Sequence, residues 1–170
     1  RSLANRRGDT GVIAYDSSRC GQGGAEITTY DSLDHSLAQT RNNLYMAVKA
    51  WASFLAAHEL LSPAGDDYLP HARRAAATVL SHVRPDGTIP AVFEHTNPGH
   101  ASRILPAAEG LVYPIAWGTH HYLAASGEFA PLIHALKAHT LACLNDPARR
   151  NHFPDGGVRL SSTSGNSWLS

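Results

Sequence analysis

The chain has little of several things, and each shortage narrows what it can be. There are two cysteines in 170 residues, Cys20 and Cys143, far apart in sequence. Two distant cysteines do not make a disulfide framework, so both are expected as reduced thiols, one in a loop and one on a buried helix face. Net charge is missing too: Lys and Arg together number 14, as do Asp and Glu. A balanced chain lacks the basic face that nucleic acid or an anionic membrane requires, so neither partner is expected. No apolar run approaches the roughly 20 residues of a membrane span. No basic start followed by an apolar stretch marks a signal peptide, which gives an expectation of a cytoplasmic protein.

Catalytic signatures of several common kinds are also absent. The 11 histidines form no His-Glu-x-x-His pattern, and no Cys-x-x-Cys occurs. His95 and His100, like His134 and His139, are five residues apart, a poor spacing for sharing an ion on a helix. His120 and His121 are adjacent and point about 100° apart on a helix. No metal and no cofactor are therefore expected. There is no Gly-x-Ser-x-Gly elbow, and the glycines of Gly21-Gln22-Gly23-Gly24 do not follow a strand in a β-α-β setting, so a phosphate-cradling loop is disfavoured. No repeat of fixed period is visible.

What the chain does have is helical periodicity. Residues 1–25 are glycine-rich and polar, and residues 1–31 as a whole form a loop leading to an acidic motif. From about Ser32 to Leu61, Leu33, Leu37, Leu44, Val48, Trp51 and Leu55 recur at helical spacing, with Tyr45 among the residues that widen the stripe. Asp31, Ser32 or Asp34 would cap this helix. A second helix is predicted from Asp66 or Asp67 to Val83, a third from Ala107 to Ala125 kinked or delayed at Pro114, and a fourth from Phe129 to Leu144. Pro85-Asp86-Gly87 is a turn signal, and 89–93 an extended piece kept out of any central strand by Pro90. Helices joined by unequal loops, without strand–helix alternation, point to an all-α domain and suit an α/α toroid with long loops at one end. A plain bundle is compatible with the same pattern.

Carboxylates are the candidates for chemistry. Glu26, Asp31 and Asp34 fall within nine residues at the mouth of the first helix. Asp31 follows Thr28-Thr29-Tyr30, and the neighbouring aromatic would partly dehydrate its carboxyl and raise its pKa, as a general acid needs. Helix capping accounts for Asp31 or Asp34 equally well by position alone. Glu109, opening an apolar helix, suits either the helix dipole or hydrogen bonding to sugar hydroxyls, and Arg103 six residues earlier could pair with it or orient it. Trp51, Trp117 and Trp168 are either core residues or stacking platforms for sugar rings.

The segment EITTYDSLDHSLAQTRNNLYMAVKAW, from Glu26 to Trp51, strongly resembles glycoside hydrolase family 52, the β-xylosidases. IPAVFE, ILPAAEGLVYP and FPDGGVRLSSTSGNSWLS fit the same family in the same order. The resemblance implies the later part of an (α/α)6 catalytic barrel, retaining hydrolysis of xylose from the non-reducing ends of xylo-oligosaccharides, and a homodimer for the full-length protein. It implies an aspartate acid/base, carried onto Asp31 by the Thr29-Tyr30-Asp31 triplet, with Asp34 as the runner-up. Thr29, Asp34, Arg103 and Glu109 become the substrate-binding candidates.

The same resemblance places the glutamate nucleophile upstream. Only 25 residues precede Glu26 and none is Glu. The chain also starts at Arg1 without Met and stops at Ser170 as an apolar segment begins. The expectation is one domain over 1–170: the acid/base-bearing fragment of a larger catalytic barrel, inactive alone, or else a non-catalytic carbohydrate-binding remnant of that barrel.

Overall fold

The computed structural model describes residues 9–12 and 42–163. Helix α1 spans Leu44–Leu61 and supplies the centre of the core, with Leu44, Val48, Trp51, Phe54 and Leu55 wholly buried. Four of these belong to the periodic stripe legible in the sequence. The helix does not run unbroken from residue 32, however. Asn42 sits at φ +53° and Asn43 is extended at φ −92°, ψ 149°. Asn is among the few residues that tolerate the left-handed region, so Asn42 breaks a pattern that hydrophobic spacing alone reads as continuous. Asn43, not Asp31, Ser32 or Asp34, caps α1: its Oδ1 accepts from the Met46 N–H at 2.8 Å.

Helix α2, Leu69–Ser81, packs on α1 after a 3-10 turn at Ser62–Ala64 and a left-handed Gly65. It begins later than predicted because Asp67 lies outside it, accepting the Leu69 N–H at 3.0 Å while also meeting His58 Nδ1 at 2.9 Å. Pro70 fits the first turn, where its missing N–H costs nothing. Ala72, Ala75, Ala76 and Val79 form the buried face, small enough to bring the two helices close.

The third predicted helix is replaced by three short pieces. A 3-10 helix covers Leu105–Leu111, α3 covers Val112–Ala116, and a second 3-10 helix covers His120–Leu123. Pro106 and Pro114 remove two donors from the ladder, and Gly118 at φ +73° turns the chain between the last two pieces. Helix α4, Ala130–Leu144, agrees with expectation in extent. Its buried residues include Leu132, Leu136, His139 and Cys143, whereas Leu141 and Leu144, expected on the apolar face, are partly exposed.

Among the described residues there is no strand, only isolated antiparallel bridges such as Asn43 to Val92 and Ile104 to Ser161. The extended piece at 89–93 uses these contacts: Leu44 N–H donates to the Ala91 carbonyl and Phe93 N–H to the Asn42 carbonyl. The described part of the chain is all-α, as predicted. No helix in it is long and apolar enough to cross a membrane.

Candidate active site

Thr29, Asp31 and Asp34, with Glu26 and Cys20, lie outside the described residues. The described chain resumes at Asn42, whose side-chain amide donates to Glu94 Oε1 at 2.8 Å. Of the sequence-predicted site residues, Arg103 and Glu109 are the two with described surroundings.

Glu109 stands in the Leu105–Leu111 3-10 helix, which packs directly on α1. Gly110 makes that approach possible: a Cβ there would fall 2.4 Å from Val48 Cγ1 and 2.9 Å from the Val48 carbonyl carbon. The close packing presents Glu109 to Tyr45 and Lys49, neighbours at i and i+4 on α1. Lys49 Nζ lies 3.4 Å from Glu109 Oε2 and donates to the Tyr45 hydroxyl. It also sits 4.0 Å from the Tyr45 ring centroid and 5.4 Å from that of Tyr113.

The protonation states follow from these contacts. The Tyr45 hydrogen bond, reinforced by the Lys49 charge and opposed by burial, holds the Glu109 carboxyl below the usual range. Burial alone would push Lys49 down, but its bonds to Tyr45 and Tyr113 and the nearby carboxylate outweigh burial and raise it. Burial, then the Glu109 bond, raises the Tyr45 phenol. Glu109 is therefore an ionised acceptor near neutral pH, with a side chain 45% exposed. Such a group accepts hydrogen bonds from hydroxyls; it does not deliver a proton. Beside it, Tyr113 stacks on Trp117 at 4.8 Å and 24°, and Trp117 remains half exposed. That exposure makes Trp117 wall rather than core. Trp51 is the opposite case, wholly buried against Phe129 in an edge-on contact at 5.5 Å.

Trp117 also bounds a depression of about 540 Å³, lined by Ser53, Ala56, Glu59, Leu60 and Thr119. Glu59 is tied on its rim to the Tyr122 hydroxyl at 2.7 Å and to His121 at 3.4 Å.

Arg103 belongs to a different cluster and does not pair with Glu109. Its guanidinium lies 3.0 Å from Asp86 Oδ2 and 3.6 Å from Asp146 Oδ2, with 11% of the side chain exposed. Asp146 is almost wholly buried and also receives Arg150 Nε at 2.7 Å, along with the backbone N–H groups of Ala148 and Arg150. The Arg150 bond first, then the backbone donors, hold the Asp146 carboxyl far below its ordinary range. Thr88 binds Asp86 through both its N–H and its hydroxyl, fixing the turn seen in the sequence as Pro85-Asp86-Gly87.

Sequence reasoning missed Tyr45 and Lys49, because Tyr45 counts as apolar in a hydrophobic stripe and its hydroxyl does not. The i, i+4 pairing with Lys49 was the available signal. Asp146 was missed because it lies beyond a helix end with no motif around it. Among the described residues, no group of three or more His, Cys, Asp or Glu is disposed to hold a metal ion.

The chain matches no protein-family model. It is 47% identical over 165 residues to a protein named beta-xylosidase from Geobacillus stearothermophilus, a match covering 94% of this chain. The chain spans 23% of the length of that relative. Over nearly its whole length, then, this all-α chain is similar to one segment of a larger protein that bears that name.

Proposed function

We propose that this chain is the acid/base-bearing portion of a retaining β-xylosidase of glycoside hydrolase family 52, built as part of an (α/α)6 toroid. The observation that carries the proposal is the 47% identity over nearly the whole chain to a beta-xylosidase. The Thr29-Tyr30-Asp31 triplet and the helix pairs of the fold support it.

In the complete enzyme, protonated Asp31 donates to the glycosidic oxygen as a glutamate from outside this chain attacks the anomeric carbon. Ionised Asp31 then takes a proton from water as that water opens the xylosyl ester. Retention requires the two carboxyls roughly 5–5.5 Å apart, so this chain alone does not complete a turnover. Thr29 and Asp34 contact the sugar near the acid. Glu109, kept ionised by Tyr45 and Lys49, accepts from sugar hydroxyls. The Arg103 charge is already met by Asp86 and Asp146, which suits a residue that fixes the loops around the site.

The test joins this chain to the preceding region of its natural reading frame and assays an aryl xyloside and xylobiose. Asp31→Asn is expected to lower turnover of xylobiose by about 10²–10⁴-fold, the usual worth of a general acid. Azide should restore turnover of an aryl xyloside with a good leaving group, forming a β-xylosyl azide. If Asp31→Asn stays active while Asp34→Asn behaves this way, the acid is Asp34. If the joined protein binds xylobiose by calorimetry yet hydrolyses nothing, the chain comes from a carbohydrate-binding remnant.

A further inference from the structure

His95 and His100 are five residues apart, a spacing that keeps two imidazoles from one ion on a helix. In the fold they are not on a common helix. His95 lies in the turn after Glu94 and His100 in the short 3-10 helix Pro98–Ala101, and this bend brings their ring centroids to 4.3 Å with planes 53° apart. Two imidazoles sharing one ion, with metal–nitrogen bonds of about 2.1 Å, place their centroids about 4.6 Å apart at the right angle of a square-planar or octahedral ion and about 5.3 Å apart at a tetrahedral one. The rings are thus already near a chelating separation.

A second, independent observation concerns the nitrogens. His100 Nδ1 lies 2.9 Å from the Val92 carbonyl oxygen. A carbonyl only accepts, so Nδ1 carries the hydrogen and Nε2 keeps its lone pair. His82, at the C-terminal end of α2, repeats the arrangement: its Nδ1 is 2.8 Å from the Thr78 carbonyl oxygen, and its ring stacks on Phe93 at 4.3 Å. A histidine that binds a metal through one nitrogen commonly donates from the other to a backbone carbonyl, which fixes tautomer and ring orientation. His82, His95 and His100 all line one cavity of about 330 Å³.

We propose that this cavity binds a divalent transition-metal ion, Zn²⁺, Ni²⁺ or Cu²⁺, through the imidazoles of His95 and His100, with water completing the coordination sphere. Imidazole suits these ions and not Mg²⁺ or Ca²⁺, which take oxygen ligands. Two protein ligands make a weaker site than the four of a structural zinc centre. The Arg84 guanidinium, which lines the same cavity and donates to the His100 carbonyl oxygen, weakens it further. The ion would clip the Glu94 turn to the Pro98–Ala101 helix. That clip would steady the 89–93 segment, whose backbone binds the start of α1. The inference concerns the chain's own residues and stands whether or not the protein cleaves xylosides.

The experiment is calorimetric titration of the metal-free chain with Zn²⁺ and Ni²⁺, with Mg²⁺ as the contrast. One saturable site is expected for the first two and none for the third. His95→Gln and His100→Gln should each weaken it at least tenfold, and His134→Gln on the exposed face of α4 should leave it unchanged. Absence of a saturable site overturns the proposal, as does a site untouched by the first two substitutions. If those variants do not fold, Ni²⁺ titration of the wild-type chain followed by imidazole NMR decides. Broadening of the His95 and His100 signals first supports the site, and broadening led by other histidines overturns it.

Discussion

His139 is the residue whose chemistry is most constrained by the fold. Its Nδ1 accepts the Ile89 N–H at 2.9 Å, so its Nε2 carries the hydrogen and donates to the Ile104 carbonyl at 2.8 Å. One neutral imidazole thus ties α4 to two loops that approach from different parts of the chain. Burial, the largest influence, pushes its pKa below the ordinary 6.5. In the unfolded chain the ring takes a proton near 6.5, whereas in the folded chain it resists. The stability His139 contributes is therefore complete above about pH 6.5 and is lost as pH falls towards the folded value. Urea denaturation at pH 7.5 and pH 5.5 should show the loss, and His139→Gln should flatten it. His139→Ala leaves an N–H and a carbonyl without partners and should cost about 2–4 kcal/mol in the same measurement.

Gly110 supports a sharper steric prediction. Gly110→Ala drives a methyl into Val48 and should destabilise the fold by about 1–3 kcal/mol, measured by denaturant unfolding. The same change moves Glu109 relative to Lys49, so it should also weaken any sugar contact made by Glu109. The pairing of Glu109 with Lys49 is exposed enough that solvent screens it, and its worth lies in setting the protonation state.

At the scale of elements, helix ends decide more than helix interiors. Asn43 is almost completely buried and its side chain satisfies a donor at the first turn of α1. Asn43→Ala should therefore cost about 1 kcal/mol, with the early amides of α1 losing hydrogen-exchange protection first. The Ala107–Ala125 stretch teaches the complementary lesson. Its apolar content reads as one helix, but Pro106 just before it, Pro114 within it and Gly118 divide the region into pieces that no periodicity argument separates. The division exposes Val112, Ile115 and Trp117 on one surface while Gly110 stays buried on α1.

For the whole molecule, Cys143 reports on integrity. It is wholly buried and its thiol is pushed up to about 11 by burial, so a disulfide-exchange reagent should not reach it in the native state. In a Cys20→Ser background, the rate of Cys143 labelling in rising urea should follow global unfolding measured by circular dichroism. Rapid labelling without denaturant would show that the core around α4 opens locally.

Much of the fold was legible in the residues. The stripe Leu44, Val48, Trp51, Leu55 gave α1 its buried face because large side chains repeated every three or four positions have nowhere else to go. Asp86 in Pro-Asp-Gly marked a turn because short-range hydrogen bonding is encoded locally. The candidate site was legible only in part. Glu109 was visible as a carboxylate in an apolar setting, and the acidic motif at 26–34 was visible by its density of carboxyls. The partners of Glu109 were not, since Tyr45 and Lys49 are sixty or more residues away and meet it only through the Gly110 contact.

The sequence by itself determined that this chain is helical, uncharged overall and homologous to a segment of a beta-xylosidase, because periodicity, composition and identity are properties of residue order. The tertiary structure alone decided that Arg103 faces Asp86 and Asp146 instead of Glu109, that Trp117 is wall and Trp51 core, and that His95 meets His100. Those outcomes depend on distances between parts of the chain that are close only after prolines, glycines and a left-handed asparagine have bent it.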